Sequence, residues 1–241
     1  MITDNLIEAG KIKEELFSIA EPGKKEILSR FFKTGKGEYG EGDLFIGVTV
    51  PQQRQLVKKH KQLSLDEIEK LLHDHHHECR LTGLFFLVEL FNQTKNEQEK
   101  ELFFRFYLKN LKEVNNWDLV DLTAPKIVGA HLLNKGRTCL YELANSSNFW
   151  EQRVAIISTF SFIKNSDFND TFRISDILLE HPHDLIQKAV GWMLREVGKR
   201  NYEAEREFLV DRYKRMPRTM LRYAIEKFDE KERMAFLKGE V

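Results

Sequence analysis

Four stretches of this chain set aromatic and charged side chains at spacings suited to chemistry. In Asn115-Asn116-Trp117-Asp118-Leu119-Val120-Asp121-Leu122, an asparagine can cap the helix that follows. Trp117 and Asp121 then fall at i and i+4, one above the other on a single face. An indole beside a carboxylate suits a flat or cationic ligand, because the ring face attracts positive charge. The competing reading is a half-buried tryptophan with a solvated or capping aspartate. Asp118, off that face, reads as a helix-start residue. In the second stretch, Lys188, Trp192, Arg195 and Lys199 recur at i, i+4, i+7 and i+11, while Val190, Met193, Leu194 and Val197 occupy the opposing arc. Three cations interrupted by one tryptophan are what a phosphate backbone beside an aromatic platform requires. A solvated basic face with a tryptophan at its edge is the alternative. Gly191 and Gly198 weaken this helix, by about 1 kcal/mol each relative to alanine, and make sense where another helix or a ligand packs closely. Third, Trp150 and Arg153 share a face at i and i+3, and an arginine can hold a phosphate through two donors. Fourth, Arg206, Arg212, Lys214, Arg215, Arg218 and Arg222 outnumber Glu207 and Asp211 in residues 206–222 by four charges. Pro217 suits the first position of a helix, which stacks Arg218 on Arg222 at i and i+4.

Two other signals carry less. His73-Asp74-His75-His76-His77-Glu78-Cys79 resembles a metal cluster, but consecutive histidines at a helix start point in different directions and no second spaced ligand pair accompanies them. No metal is expected. Asn92-Gln-Thr94, Asn145-Ser-Ser147 and Asn169-Asp-Thr171 match a glycosylation pattern that a chain without a secretory signal does not use.

The scaffold that must position these residues is bounded by composition. In 241 residues, 38 Lys+Arg balance 38 Asp+Glu, and 41% of the residues are hydrophobic. That is too apolar for disorder and too polar for a membrane protein. No run approaches the ~20 apolar residues that cross a bilayer, so a cytoplasmic location is expected. Two cysteines, Cys79 and Cys139, exclude a disulfide framework or a four-cysteine zinc site. Zero net charge argues against a polycationic coat protein but leaves room for a local basic stripe, because charge acts over about 8–10 Å in ordinary salt. Basic residues gather in 188–199 and 206–222, whereas acids such as Glu8, Glu14, Glu15, Glu97 and Glu99 lie in the N-terminal half. The zero therefore reads as a sum over two unlike surfaces.

The 3.6-residue period dominates. Leu6, Ile12, Leu16 and Ile19 open a helix that Pro22 stops, and a second helix carries Ile27, Leu28, Phe31 and Phe32. Further helices are predicted over 51–61, 65–73, 76–92, 97–111, 117–133, 136–145, 149–164, 172–180, 184–200, 203–215, 217–227 and 229–238. Leu44-Phe45-Ile46-Gly47-Val48 is the only β-like run. Short connections make consecutive helices antiparallel neighbours, and so many helices predict one all-α domain over 1–241, a helical-repeat α-solenoid rather than a four-helix bundle. Residues 34–44 hold Gly35, Gly37, Gly40 and Gly42, a loop that either touches a ligand or braces the N-terminal helices. It lacks a phosphate-binding GxxxxGK[ST].

Five segments in order resemble one family: Phe31-Phe-Lys-Thr-Gly with Glu38-Tyr-Gly-Glu-Gly-Asp-Leu-Phe-Ile-Gly47, Asn116-Trp-Asp-Leu-Val-Asp121, Trp150-Glu-Gln-Arg153, Lys188-Ala-Val-Gly-Trp-Met-Leu-Arg-Glu196 and Met216-Pro-Arg-Thr-Met-Leu-Arg-Tyr-Ala-Ile-Glu226. Together, over about residues 28–226, they look like the AlkD-type bacterial DNA alkylation repair proteins, alkylpurine DNA glycosylases built from HEAT-like repeats. The resemblance implies a concave basic face for duplex DNA and excision of cationic N3- and N7-alkylated purines without metal or cofactor by a monomer. It implies that Asp121 is the catalytic carboxylate and that Trp117 and Trp192 contact the sugar and backbone of the damaged nucleotide. Arg153 becomes a phosphate contact, supported by Arg195, with Lys188, Lys199, Arg218 and Arg222 on the DNA-binding surface. It also implies that the lesion stays stacked rather than entering a pocket, unlike in most glycosylases. The alternatives are a non-catalytic binder of branched or damaged DNA using the same surface, and a helical-repeat scaffold for protein partners.

Overall fold

The computed structural model describes residues 8–60 and 63–241. Leu6 and Lys61, assigned to helices from the sequence, lie outside the described residues. The helices are Ala9–Ser18 (α1), Pro22–Phe31 (α2), Val50–His60 (α3), Leu65–Leu72 (α4), His77–Gln93 (α5), Glu97–Lys109 (α6) and Trp117–Ala124 (α7). They continue as Thr138–Ala144 (α8), Phe149–Ser158 (α9), Phe160–Lys164 (α10), Asn169–Ile177 (α11), Asp184–Gly198 (α12), Tyr202–Val210 (α13), Arg218–Ala224 (α14) and Glu230–Lys238 (α15). The protein is all-helical; the described residues contain no strand beyond one isolated parallel bridge, Leu44 with His76. No described helix is long and apolar enough to cross a membrane. The chain forms two compact units, Met1–Leu119 and Val120–Val241, and the division falls inside α7.

In the first unit, α5 is buried nearly all round and packs against α1, α3, α4 and α6. Caps set the boundaries. Ser64 accepts from Glu67 N at 3.3 Å to open α4, and Asn96 accepts from Gln98 N and Glu99 N to open α6. Glu67 Oε1 accepts from Lys70 of its own helix at 2.5 Å. Its carboxylate accepts from Ala9 N at 2.8 Å and so caps α1 from a distance in sequence.

The β-like run Leu44–Val48 is extended but pairs with no strand. Its amides are taken by one buried side chain: Glu78 Oε1 accepts from Gly47 N at 2.9 Å and Val48 N at 3.1 Å, and Oε2 from Ile46 N at 3.1 Å. A carboxylate in a nest of successive N–H groups replaces the ladder the pattern suggested. Gly47 sits there at φ +94 against the Glu21 carbonyl, a conformation and a closeness that both exclude a Cβ.

In the second unit, α12 is the hub and packs against α9, α11, α13 and α14. Two predicted helices are interrupted here, and the one predicted over 203–215 ends at Val210. The stretch 149–164 breaks at Thr159, where Ser158 and Thr159 hydroxyls bond back to Val154 O at 2.6 Å and Ile156 O at 2.7 Å and compete with the helix ladder. The stretch 117–133 passes into a π-turn over Pro125–Gly129, because Pro125 has no N–H to continue the α register. Both glycines of α12 meet close neighbours, as their cost in a helix implied: a Cβ at Gly191 would strike Met220 O and Tyr223 of α14, and one at Gly198 would strike the Glu205 carboxyl of α13. Gly191→Ala is therefore expected to lower stability by about 2 kcal/mol, because α12 and α14 must separate or strain. Thermal unfolding checks this, and an unchanged midpoint would show that α14 has room to shift.

Candidate functional site

In the second unit, Asp121 lies on α7 and Arg153 on α9. Arg153 Nε donates to Asp121 Oδ1 at 2.9 Å and Nη2 donates to Oδ2 at 2.8 Å, a fork that fixes the carboxylate in both position and plane. The guanidinium is itself tethered, Nη1 donating to the Leu185 carbonyl near the start of α12. Arg153 is 5% exposed, so its charge is committed to Asp121 rather than presented to solvent. Trp150, its i−3 neighbour, belongs to the core at 7% exposure and packs on Phe149, which stacks on His183.

Trp192 lies half-buried on α12. Its Nε1–H donates to Glu196 Oε1 at 3.2 Å and its ring tilts against Phe160. Lys199 Nζ and Arg200 Nη1 also reach Glu196, at 2.5 and 3.2 Å. Burial alone would raise the Glu196 carboxyl, but these two cations and the indole hold it below the usual carboxylate range. The predicted row of cations is thus paired: Lys188 with Asp184 at 2.8 Å, Arg195 with Glu226 and Lys199 with Glu196. The excess over 206–222 is largely answered as well. Arg206 meets Glu232, Arg212 meets Asp176 and Arg215 meets Glu180, while Arg218 donates to the Leu237 carbonyl at 2.6 Å. Arg222 is exposed and, among the described residues, has no ion-pair partner. The expected polarity between a basic C-terminal and an acidic N-terminal half is therefore corrected. Acids from the same unit neutralise these cations through exposed or part-exposed pairs, each worth about 0–1 kcal/mol.

In the first unit, Trp117 is half-buried and stacks on Phe32 with ring centroids 5.0 Å apart and an interplanar angle of 15°. Phe31, 62% exposed, meets the indole edge-on. Asn116 does serve the helix start, its Oδ1 accepting from Trp117 N at 2.8 Å. Asp118 lies in the first turn of α7, as read from the sequence, and is also 4% exposed and bonded to His77 Nε2 at 2.8 Å. The other ring nitrogen of His77 meets Asp43 Oδ2 at 3.0 Å, and Arg80 pairs with the second Asp43 oxygen. The chain reading missed this cluster. Its signal was present: His77, Glu78 and Arg80 lead into a stretch, residues 81–88, that is apolar apart from Thr82, and charges buried beside such a stretch need partners.

The histidines do diverge. His76 turns to Asp74 Oδ1 at 2.8 Å while His77 turns to Asp43 and Asp118. Asp74, His76 and Cys79 bring donor atoms within 4.8 Å of one another. Lys13 Nζ lies 2.5 Å from Asp74 Oδ2 and supplies the positive charge there, and burial pushes the Cys79 thiol up to about 12. The glycine loop is held by its own carboxylates, Glu38 to Gly35 N at 2.9 Å and Glu41 to Gly37 N at 2.8 Å, with Asp43 buried at its end.

A search of curated proteins returns no match. Among solved structures, one described as a predicted DNA alkylation repair enzyme from Enterococcus faecalis shares the fold at a TM-score of 0.68 and 19% identity, covering 88% of this chain and 97% of that one. The family model for DNA alkylation repair enzymes matches residues 12–228, a span that contains Trp117, Asp121, Arg153, Trp192, Arg195 and Arg222. The chain belongs to the DNA alkylation repair enzyme family.

Proposed function

We propose that this protein is a monofunctional DNA glycosylase that hydrolyses the N-glycosidic bond of cationic N3- and N7-alkylated purines in duplex DNA and leaves an abasic site. The observation that carries the reading is the Asp121–Arg153 fork, a carboxylate fixed as an oriented anion. An alkylated purine already bears positive charge and departs without a general acid. Cleavage then moves positive charge onto the deoxyribose, an oxocarbenium-like state. What the protein must add is an anion in the right place, and a water to complete hydrolysis. Asp121 stabilises the sugar cation and orients that water. Trp117 and Trp192 contact the sugar and backbone of the damaged nucleotide, Arg153 holds Asp121, and Arg195, Lys188, Lys199, Arg218 and Arg222 meet the phosphates. In this reading the protein acts as a monomer in the bacterial cytoplasm and needs neither metal nor cofactor. No second carboxylate is required, in contrast to glycosidases that use an acid and a base.

The direct test is release of 7-methylguanine or 3-methyladenine from methylated duplex DNA by the wild-type protein. Tight binding of branched DNA with no base release would place the chain with non-catalytic binders instead. Binding should weaken steeply with salt, since displaced counterions scale with the phosphates neutralised. Arg222→Ala is expected to weaken binding uniformly across sequences and to reduce the salt slope by about 1. An unchanged slope would remove Arg222 from the interface.

A further inference from the structure

Trp117 is straddled. The residue before it, Asn116, donates from Nδ2 to Asp43 Oδ2 at 3.2 Å, and the residue after it, Asp118, accepts from His77 at 2.8 Å. Both flanks therefore end on one ion pair, because His77 Nδ1 binds that same Asp43 oxygen at 3.0 Å. The ring beneath the indole ends there too. Phe32, on which Trp117 stacks, packs against His77 with centroids 5.0 Å apart, and Phe45 stacks on the imidazole at 4.5 Å. His77, Asp118 and Phe32 are buried, whereas the indole is partly open to solvent.

We propose that His77 is a positioning residue for Trp117, acting as a doubly hydrogen-bonded imidazolium between Asp43 and Asp118 that fixes both the backbone on either side of the tryptophan and the aromatic ring under it. The assignment rests on the glycosylase reading only for what Trp117 does to DNA. An imidazolium fits this place as no other cation does. Its two N–H groups leave in the ring plane from different edges, so it can bridge two carboxylates while the ring packs against Phe45 and Phe32, which also stack on each other. The charged groups facing it are Asp43 from the glycine loop and Asp118 from α7, with Arg80 of α5 on the far oxygen of Asp43. With the ring protonated, the two cations and two anions balance. Burial alone would lower the His77 pKa, but the charge and hydrogen bond of Asp118, and those of Asp43, raise it to about 9. Asp43 is correspondingly depressed to about 2, against the effect of its own burial, by His77 and Arg80. A histidine raised in the folded state adds stability that is complete below its unfolded value of about 6.5. That stability is lost as pH climbs through about 9. The clamp is therefore closed at neutral pH.

The test uses full-length protein labelled with 5-fluorotryptophan, the Trp117 resonance being assigned by its loss in Trp117→Phe. In the wild type, fluorine NMR from pH 7 to 10 should move the Trp117 signal with a midpoint near 9 and leave those of Trp150 and Trp192 in place. His77→Gln, whose amide donates to only one of the two aspartates, should shift the Trp117 signal at pH 7 and abolish that titration. It should also slow single-turnover base release about tenfold or more while duplex affinity stays within about twofold, since misplacement of a positioned group costs rate before binding. In the Trp117→Ala background His77→Gln should slow release no further, whereas a merely structural role would add its own loss. An unmoved Trp117 signal in both the wild-type titration and His77→Gln overturns the proposal, and the titration decides alone if the variant does not fold. Absence of base release from the wild type would remove the glycosylase reading and leave the fluorine test of His77 standing.

Discussion

Asp121→Asn is expected to lower the single-turnover rate of alkylpurine release by about a thousandfold. The figure comes from the charge that the substitution removes. A carboxylate about 4 Å from a sugar cation contributes about 4 kcal/mol at an effective dielectric of 20, and each 1.4 kcal/mol is about tenfold in rate. The change is nearly isosteric, but it also breaks the fork. Arg153 presents N–H donors to both Asp121 oxygens, and an amide offers one acceptor and turns its NH2 group toward a donor. The buried guanidinium then keeps one good partner on that side and its bond to the Leu185 carbonyl. Two effects thus add, loss of the anion and loss of its orientation, and both fall on the chemical step. Duplex affinity should change little, because phosphate contacts dominate it. The loss therefore belongs in kcat rather than KM, the signature of an interaction stronger in the transition state than in the ground state. Retention of more than about a tenth of the wild-type rate, in folded protein that binds duplex normally, would show that Asp121 does not carry the reaction.

Arg153 illustrates what a spacing can and cannot say. Its place three residues after Trp150 made a shared face, and the arginine fork suited an oxyanion with two acceptors. In the structure the fork holds one, the carboxylate of Asp121. Local sequence identifies the chemistry of a group, whereas its partner comes from packing across 32 residues of chain. The cations of 206–222 show the same thing. Their excess is real in the segment and is cancelled in the fold by Asp176, Glu180 and Glu232, none of which lies in that window.

Helix positions were legible where a side chain beside the boundary decides them. Pro22 opens α2, and Ser64, Asn96 and Asp229 cap the helices that follow them. They were not legible where the decision is taken inside a helical pattern. Apolar periodicity runs straight through Thr159 and Pro125, yet the hydroxyls at 158–159 and the missing N–H at 125 break or re-register the backbone. The cluster around His77 lay deepest. A histidine run reads as a metal signal or as nothing, and only the placement of Asp43 and Asp118 on its two sides makes it a clamp.

Glu78 is the residue whose removal should cost the fold most. Leu44–Val48 has the alternation of a strand but no neighbouring strand, so three successive buried amides must find acceptors elsewhere. All three find Glu78, which is 1% exposed: Oε1 lies 3.2, 2.9 and 3.1 Å from the nitrogens of Ile46, Gly47 and Val48, and Oε2 lies 3.1 Å from Ile46 N. Phe45 and Val48 are core residues, and Phe45 stacks on both Phe32 and His77, so the segment links the glycine loop to the ring under Trp117. Glu78→Gln keeps one acceptor oxygen, removes the charge and brings an NH2 group against Ile46 N–H. Breaking a buried charge-assisted network of this kind costs about 3–5 kcal/mol. For a chain of this length the thermal midpoint should fall by about 10 °C. Amide exchange at Ile46, Gly47 and Val48 should rise more than exchange across α12, because the second unit does not use this carboxylate. A midpoint within about 2 °C of wild type, with those amides still protected, would mean that water or another acceptor can replace Glu78 and that the segment is held by the packing of Phe45 and Val48 alone.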